Sequence, residues 1–338
     1  MSDLKAAVIG LGTVSPMHIK ALQTIDVPIV AVCDNNQEKA NKAASELGCA
    51  AFGQNVKMLE AGGFDVLHIC LPHYLHAPVA IDALTKGFNV LCEKPMATTV
   101  EDAEIMISAA NANKKTLGVI FQNRYSPGAT LIKSSLESGE LGAVKGGWFR
   151  VTWHRPESYY KESDWRGRWA TEGGGVLINQ SIHSFDMMNF FLGNPTAVDA
   201  SIANRAHPII EVEDVAEGVI TYGETPISFF VNTFHPYDAP ASVELICEKG
   251  KATLIGEDAT ITMNDGTKKT AGANIEAQQR FGMKDYWGVS HFKQIAAFYE
   301  SIKSGNPPEI DGKEALRTQR LINGIYESAK TGHPYRNL

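Results

Sequence analysis

The stretch VIGLGTVSPMH, residues 8–18, joins an apolar run to a segment with the residue spacing of a helix. Gly10 and Gly12 fit the opening of a G-x-G-x-x-G pattern, in which the first glycine permits a tight turn and the second lets backbone N–H groups approach a pyrophosphate. Ser15 takes the third glycine position and keeps a small residue where helix and strand pack. We predict a strand–turn–helix unit that binds a dinucleotide through these turn residues: Gly10, Leu11, Gly12, Thr13 and Val14.

An acidic residue follows the second apolar run at the spacing of such a unit. The run Ile29–Cys33 ends in Asp34, 22 residues after Gly12 (34 − 12), where a carboxylate accepts hydrogen bonds from the adenosine ribose hydroxyls. This carboxylate repels a 2′-phosphate, and neither Asn35 nor Asn36 supplies a guanidinium to receive one. NAD is therefore favoured over NADP, with Asp34 and Asn35 among the cofactor-binding residues. The alternative is that Asp34 only caps the next helix.

The rest of the first third repeats the same alternation of strand and helix. Short apolar runs at residues 66–71, 90–92 and 117–121 are separated by segments of helical spacing. Strict alternation is typical of βαβ units and of a parallel sheet with helices on both faces. The sequence therefore predicts an α/β Rossmann domain over residues 1–123.

The pattern changes after Asn123 to longer strands rich in β-branched and aromatic residues, such as VAEGVITY at residues 215–222. Turn residues separate these strands, which is typical of an antiparallel sheet. We predict an α+β domain for substrate binding and oligomerisation over residues 124–310, with a large, mainly antiparallel, open-faced sheet. A C-terminal helix within residues 311–338 is expected to pack back near the Rossmann domain.

Composition excludes several classes of protein. The 338 residues carry a net charge of −7 without a basic run, which disfavours nucleic acid as a partner. Five cysteines form no CxxC pair, and four of them lie in apolar runs, which fits buried thiols in a reducing cytoplasm. The chain shows no secretory signal and no apolar stretch of about 18 residues, the length of a membrane span. We expect a cytoplasmic protein with no membrane partner and no metal site.

Polar residues follow three strands of the predicted sheet at their carboxyl ends, where open parallel sheets bind ligands. They are Leu71, Pro72 and His76 after the fourth strand, Glu93 and Lys94 after the fifth, and Gln122 after the sixth. Lysine is rarely buried without a partner, and Pro95 keeps Lys94 out of helical geometry, so the backbone directs the ammonium. Except for Lys94, these residues are predicted to bind the cofactor. The alternative for His76 is a surface histidine.

A second group of polar residues follows three glycines at 173–175. The glycines leave little bulk at the entrance of a predicted helix, which suits close approach of a ligand or of another backbone segment. Asn179 and His183 are four residues apart and are expected to share one helix face, with Asp186 three further on. The alternative is a core histidine paired with Asp186.

Three elements of the chain together resemble the Gfo/Idh/MocA family, named after glucose–fructose oxidoreductase, inositol dehydrogenase and rhizopine catabolism. They are Gly10-x-Gly12, Glu93-Lys94-Pro95, and Asn179 four residues before His183 after the glycines 173–175. Members are mostly NAD(P)-dependent dehydrogenases of sugars, polyols or sugar nucleotides, often dimers or tetramers formed through the open sheet. The resemblance covers essentially the whole chain, and it implies that Lys94 and His183 flank the reacting carbon. Many relatives carry aspartate where this chain has Asn179.

These residues suit oxidation of a secondary alcohol, in which hydride leaves the carbon and the hydroxyl proton goes to a base. His183 is predicted as general base or acid, Lys94 as the stabiliser of the developing alkoxide, and Asn179 as their neighbour in the catalytic site. The reverse assignment stays open, since a lysine whose pKa is lowered by burial can take the proton. Glu93 is expected to hold Lys94 or to line the nicotinamide site.

The segment 153–175 is dense in aromatic residues and arginines. Aromatic faces suit sugar rings, and guanidinium groups suit hydroxyls, carboxylates or phosphates, although such rings also pack loops onto sheets. We predict Tyr160, Trp165 and Arg166 as substrate contacts. The expected function is an NAD-dependent oxidoreductase for a carbohydrate or cyclitol. Alternatives are an NAD-using glycosidase of the same fold and a dinucleotide-binding sensor without turnover.

Overall fold

The computed structural model describes residues 4–272 and 290–338. Within them the chain divides into two compact units. The first contains the chain up to Phe121 together with His291–Leu316, and the second contains Gln122–Ser290 and Arg317–Leu338. The predicted boundary was residue 123, and the first segment of the first unit ends at Phe121. Residues 291–310, however, were expected in the second domain and belong instead to the first unit.

A six-stranded parallel sheet forms the centre of the first unit, with strand order 3-2-1-4-5-6. Its strands are β1 Ala6–Ile9, β2 Ile29–Cys33, β3 Ala50–Phe52, β4 Val66–Ile69, β5 Asn89–Cys92 and β6 Leu117–Val119. All four residues of β1 and of β4 are buried, as continuous apolar runs in a doubly covered sheet predict. The strand order reverses at β1, so the adjacent ends of β1 and β4 are the position where such sheets bind ligands.

Helices connect these strands and cover the sheet. They are α1 Ser15–Thr24, α2 Gln37–Leu47, α3 Asn55–Ala61, α4 His76–Thr85 and α5 Val100–Ala112. The predicted Rossmann topology is confirmed. A further helix from later in the chain, Ser290–Ser304, supplies Gln294, whose side chain binds Val119 O at 2.7 Å and Phe121 N at 3.0 Å. These contacts with the end of β6 explain why residues 291–310 belong to the first unit.

The second unit is built on an eight-stranded sheet with the order 14-13-12-11-7-10-9-8. Its strands are β7 Val144–Thr152, β8 Ala197–Ala203, β9 Val215–Tyr222, β10 Thr225–Asn232, β11 Ser242–Cys247, β12 Gly250–Ile255, β13 Asp258–Met263 and β14 Lys268–Ala271. The neighbours are antiparallel except β7 and β10, which are parallel. The mainly antiparallel sheet is therefore confirmed, and β13 and β14 are strands that the sequence pattern did not reveal.

One face of this sheet buries its side chains and the other leaves several exposed. Val219, Phe230, Ile246 and Ile255 are 37%, 41%, 51% and 52% exposed, and the strand register places them on one face. The buried face includes Phe229, which packs against other aromatic rings. The predicted open face is confirmed.

Six helices complete the described part of the chain. They are α6 Pro127–Glu137, α7 Glu157–Lys161, α8 Trp169–Glu172, α9 Ile182–Leu192, α10 Ser290–Ser304 and α11 Gly312–Thr331. The helix predicted directly after the glycines at 173–175 begins later, at Ile182, because turns occupy the residues between them. Among the helices of residues 4–272 and 290–338, none is both long and apolar enough to cross a membrane.

Candidate functional site

The turn after β1 adopts a conformation that favours glycine. Gly10 has a φ of +83°, and a Cβ atom there would collide with the backbone carbonyl oxygen of Cys70 at the end of β4. The next amide, Leu11 N, donates to Oδ2 of Asp34 at 2.9 Å. A Cβ atom on Gly12 would meet no atom within 4 Å, so the second glycine borders open space.

Asp34 is held by backbone donors rather than acting as a helix cap. Its Oδ1 accepts from Asn36 N at 3.0 Å, while the side chain of Asn36 caps α2 by accepting from Lys39 N. The capping alternative for Asp34 is therefore wrong. The ammonium of Lys39 lies 3.6 Å from Oδ2 of Asp34 and is about half exposed. Sequence reasoning did not identify this neighbouring cation, which lies five residues after Asp34 (39 − 34) on α2.

The start of α1 is open to a ligand on its N-terminal side. The residue before the helix, Val14, makes no side-chain cap, and Pro16 lies in the first turn. The first amides of a helix attract an anion because their N–H groups lack partners within the helix. Together with the open position at Gly12 and the carboxylate of Asp34, this start of α1 fits the pyrophosphate and ribose of a dinucleotide.

The loop after β5 contains Lys94 and is fixed by a histidine. The peptide bond between Lys94 and Pro95 is cis, and the ring nitrogens of His76 lie 2.7 Å from Pro95 O and 2.8 Å from Leu71 O. His76 is fully buried, so the surface alternative is wrong. Because both of its nitrogens contact backbone carbonyls, the imidazole positions the loop that carries Lys94. Its predicted contact with the cofactor stays a prediction, as do those of Leu71 and Pro72.

Glu93, the residue before Lys94, is 6% exposed and surrounded by histidines. Its Oε1 lies 2.9 Å from Nε2 of His18 and 3.4 Å from Nε2 of His291, while Oε2 accepts from the amide of Lys94 at 3.3 Å. Burial opposes ionisation of Glu93, but its bonds to the two histidines hold the pKa of its carboxyl well below the usual range. The expected role of holding Lys94 fits this geometry.

His18 connects Glu93 to further buried groups. Its Nδ1 lies 2.8 Å from Nδ1 of His68, whose Nε2 lies 2.9 Å from the hydroxyl of Tyr299. Burial lowers the pKa of His18, but interactions with Cys70 and Glu93 outweigh burial and raise the pKa to about 9. Burial, with the charge on His18, lowers the pKa of His68 well below its ordinary value. A protonated His18 that donates from both nitrogens satisfies this arrangement.

In the second unit, the glycines at 173–175 permit close approach of another segment of the same unit. A Cβ atom on Gly175 would collide with the backbone oxygen of Glu213, and one on Gly174 with the hydroxyl of Tyr326. The carboxylate of Glu213 accepts from Gly175 N at 3.0 Å and from Leu177 N at 3.0 Å. Of the two reasons considered for the glycines, the structure supports approach of a backbone segment.

Asn179 lies in the turns before α9, not on the helix with His183, which occupies its first turn. The expectation that both share one helix face is therefore wrong, because α9 begins only at Ile182. The amide Nδ2 of Asn179 donates to Oε1 of Glu172 at 2.6 Å and to the hydroxyl of Tyr159 at 3.3 Å. Glu172 is fully buried, and this burial raises its pKa to about 7.

Asp186, the acid considered as a partner for His183, binds an arginine and a threonine, and its pairing with His183 stays a prediction. Its carboxylate accepts from Arg124, with Nε to Oδ2 at 2.8 Å and Nη2 to Oδ1 at 2.6 Å, and from Thr318 Oγ1 at 3.1 Å. Arg124 and Asp186 are both buried, so this bidentate pair joins α9 to the 3-10 turn at residues 122–125. In the same turn, Gln122 is buried, and its Oε1 has no hydrogen-bond partner among the described residues.

The three predicted substrate contacts lie in different surroundings. The guanidinium of Arg166 lies 4.2 Å from the ring centre of Tyr159 and 4.9 Å from that of Trp165. Its Nε is buried without a hydrogen-bond partner in the described parts of the chain. Tyr160 instead packs in a small core with Ile210, and its hydroxyl donates to Thr233 at 3.3 Å. Tyr159, the neighbour of Tyr160 in the chain, is therefore the tyrosine that lies beside Arg166, and the predicted substrate contact of Tyr160 stays a prediction.

Residues 4–121 match the oxidoreductase family with an NAD-binding Rossmann fold, GFO_IDH_MocA, and residues 130–253 match the GFO/IDH/MocA C-terminal domain. The chain is 29% identical over 359 aligned positions to scyllo-inositol 2-dehydrogenase (NAD(+)) of Bacillus subtilis, covering 98% of this chain and 96% of that protein. It is 28% identical to D-glucoside 3-dehydrogenase of Escherichia coli, with coverages of 98% and 97%.

A solved structure is similar over the same length. The WlbA dehydrogenase of Bordetella pertussis, crystallised with NADH and UDP-GlcNAcA, superposes with a TM-score of 0.85 and 27% identity, covering 99% of each chain. Both family matches, the fold and the first turn agree with the predicted resemblance. The protein is thus a member of the Gfo/Idh/MocA family, an oxidoreductase with an NAD-binding Rossmann domain.

Proposed function

We propose that the protein is an NAD-dependent dehydrogenase that transfers hydride between nicotinamide and a secondary hydroxyl of a sugar, cyclitol or sugar derivative. Relatives of similar length named for the oxidation of inositols and glucosides support this substrate class. Asp34 supports NAD over NADP, because its carboxylate stands where a 2′-phosphate would be repelled.

The observation that carries this proposal is the position of Lys94. It is the second residue after β5 of a sheet whose first turn fits a dinucleotide, and its loop is fixed by His76 and Glu93. A loop fixed in this way holds the backbone that carries this ammonium in a defined place, which lowers the ordering cost during the reaction. Bound NAD supplies the nicotinamide carbon that accepts or donates hydride.

We assign the proton to His183 and the stabilisation of the alkoxide to Lys94. In oxidation, a ring nitrogen of His183 accepts the proton of the substrate hydroxyl, and the ammonium of Lys94 interacts with the oxygen as negative charge develops. In reduction the same groups act in reverse. Asn179 contributes a neutral amide four residues before His183 in the sequence.

Arg166 favours a substrate that carries negative charge. Its guanidinium forms no ion pair with the described residues, and it is stacked on two aromatic rings that hold it in place. A carboxylate or phosphate on a sugar would complete the hydrogen bonds of its buried Nε. The related structure crystallised with UDP-GlcNAcA supports sugar acids and sugar nucleotides within the proposed class.

We also propose that copies of the chain associate through the open face of the second sheet. The exposed side chains Val219, Phe230, Ile246 and Ile255 contribute apolar area to this face. Exposed apolar area on one face of a sheet is typical of protein interfaces.

The experiment is a screen of hexoses, inositols, uronates and nucleotide sugars with NAD and NADP, followed by absorbance of the reduced cofactor. We expect stoichiometric NADH with at least one substrate, and a loss of about 100-fold or more in kcat for Lys94→Ala, as for removal of a group that stabilises a developing oxyanion. Lys133→Ala, on α6 and one-quarter exposed, is the control. Unchanged turnover in Lys94→Ala would contradict the assignment, and product without net NADH would indicate the glycosidase.

A further inference from the structure

Asn179, predicted as part of the catalytic site, has as its hydrogen-bond partner a carboxylate from another part of the same loop. Oε1 of Glu172 lies 2.6 Å from Nδ2 of Asn179, and Glu172 is fully buried. We propose that Glu172 is a positioning residue that fixes the amide of Asn179, four residues before His183 in the chain. This inference rests on the proposed function, because it assigns Glu172 to the same reaction.

The hydrogen bonds determine how the amide of Asn179 is oriented. Its two N–H bonds are directed at Oε1 of Glu172 and at the hydroxyl of Tyr159. The ionised carboxylate of Glu172 accepts only, so in this form its bond to Asn179 decides which end of the amide is the nitrogen. Any donor that meets this amide, such as a substrate hydroxyl or an imidazole N–H, must therefore meet Oδ1.

Glu172 is itself fixed from the opposite side. Its Oε2 accepts from the amide of Gly167, which lies in the same loop as Trp165 and Arg166. The carboxylate thus joins the loop with the aromatic rings to the turn that carries Asn179. A carboxylate held from two sides can hold the amide in one orientation, whereas a flexible surface acid could not.

A polar group without a partner marks this cluster as a place for a ligand. Gln180 is 5% exposed, and its Nε2 donates to the hydroxyl of Tyr159 at 3.3 Å. Its Oε1 is buried and has no hydrogen-bond partner among the described residues, and the same holds for Nε of Arg166. A buried acceptor and a buried donor left open beside Asn179 and Glu172 suit a ligand with hydroxyl and acidic groups.

The charges around Glu172 allow its proton to exchange near neutral pH. Burial raises its pKa to about 7, although the hydrogen bonds from the Gly167 amide and from Asn179 lower this pKa. The charge of Glu213 raises the pKa, and the charge of Arg166 lowers it. Tyr159 and Tyr326 also face it, and both are phenols whose pKa burial raises. Glu213 is the nearest comparison, since burial raises its pKa to about 7 as well.

A charge exchange tests the proposal. Glu172→Gln removes the carboxylate. The double variant Glu172→Gln with Asn179→Asp places a carboxylate at position 179 instead, so the hydrogen-bonded pair again contains one acid and one amide. We expect Glu172→Gln to lose about 10- to 100-fold in kcat/KM, a part of the factor that positioned acid–base catalysis contributes, and the double variant to recover most of it. Asn179→Asp alone places two acids in contact and is expected to lose activity as well.

Glu213→Gln is the matched control, because Glu213 is equally buried but binds the backbone of Gly175 and Leu177 rather than Asn179. Asn179→Asp should give no recovery in the Glu213→Gln background. Full activity of Glu172→Gln, or a double variant no better than Glu172→Gln alone, would overturn the proposal. Circular dichroism of each variant separates loss of fold from loss of positioning.

Melting curves without substrate keep this test separate from the proposed function. The pKa of Glu172 is raised from 4.5 to about 7 in the folded protein, so its protonated form stabilises the fold. The melting temperature of the wild type relative to Glu172→Gln should fall as the pH rises from about 4.5 to about 7 and stay level above. A difference in melting temperature that does not change with pH would overturn the proposal. Failure of the protein to oxidise any carbohydrate would instead contradict the proposed function.

Discussion

The imidazole of His18 and the carboxylate of Glu93 form a buried ion pair, with Nε2 and Oε1 2.9 Å apart. His18 lies on α1, and Glu93 follows the end of β5. The other carboxylate oxygen of Glu93, Oε2, accepts from the amide of Lys94 at 3.3 Å. The second nitrogen of His18 contacts Nδ1 of His68 at 2.8 Å, which requires that one of these nitrogens donate and the other accept. The protonated form of His18 with a neutral His68 meets this requirement.

We predict that the interactions of His18 with Cys70 and Glu93 make stability depend on pH. The folded pKa of His18 is raised from 6.5 to about 9, so its stabilisation is complete below pH 6.5 and is lost as the pH rises to about 9. That shift corresponds to about 3 kcal/mol. Urea unfolding of the wild type between pH 6 and pH 9.5 should show a falling free energy of unfolding, whereas His18→Gln should lack this dependence.

A paired variant separates charge from packing at His18. His18→Gln leaves the carboxylate of Glu93 with less compensation and is expected to destabilise the fold by about 3 kcal/mol at pH 7, as for a broken buried ion pair. His18→Gln with Glu93→Gln removes both charges and should recover part of this loss. Equal stability of the single and the double variant would contradict a buried ion pair.

A second prediction concerns selection of the cofactor by Asp34 and Lys39. Asp34→Ala removes the carboxylate, so the affinity for NAD should fall about 10- to 100-fold, as expected for lost hydrogen bonds to a charged group. The ammonium of Lys39, 3.6 Å from Oδ2 of Asp34, then becomes available to a 2′-phosphate, and use of NADP should rise. The measurement is kcat/KM for both cofactors.

Lys39 provides the control for this prediction. Asp34→Ala with Lys39→Ala should lose the affinity for NAD without gaining NADP. If the double variant used NADP as well as Asp34→Ala does, the gain would come from removal of repulsion alone and not from the lysine.

A third prediction tests the charge of the substrate. Arg166→Gln keeps a polar side chain but removes the guanidinium stacked on Tyr159 and Trp165. The KM for an acidic sugar should rise about tenfold or more, since hydrogen bonds to charged groups contribute about 1.5–3 kcal/mol, while the KM for a neutral sugar changes little. Arg168→Gln, an exposed arginine two residues further on, is the matched control. An equal rise for both substrates would point to a structural effect.

A fourth prediction concerns association through the open sheet. Phe230, 41% exposed in β10, contributes apolar area to that face, and a charge there would have to be buried in an interface. Phe230→Glu should shift the oligomer toward monomer in sedimentation velocity experiments. Ile105→Glu changes an apolar residue on α5 of the first unit that is 50% exposed, and it should leave the oligomer intact. A wild-type chain that is monomeric at micromolar concentration would contradict this association.

Local patterns predicted the elements whose burial is uniform or strictly alternating. The apolar run Ile29–Cys33 is β2 with the predicted bounds, and VAEGVITY is β9 over residues 215–222. The strands β13 and β14 were missed because polar residues such as those of Lys268–Ala271 form a strand only through pairing with a neighbour. The late start of α9 was missed because turns between residues 176 and 181 keep their own hydrogen bonds.

By itself the sequence determined the Rossmann unit, the turn at Gly10 and the loop that carries Lys94, because spacing along the chain controls turns, strand ends and helix starts. Only the tertiary structure decided which groups surround them. His18 and Glu93 are 75 residues apart in the sequence (93 − 18), so only the folded structure shows that they form a pair. Glu172 reaches Asn179 because a loop folds back on itself, and no periodic pattern records such a contact.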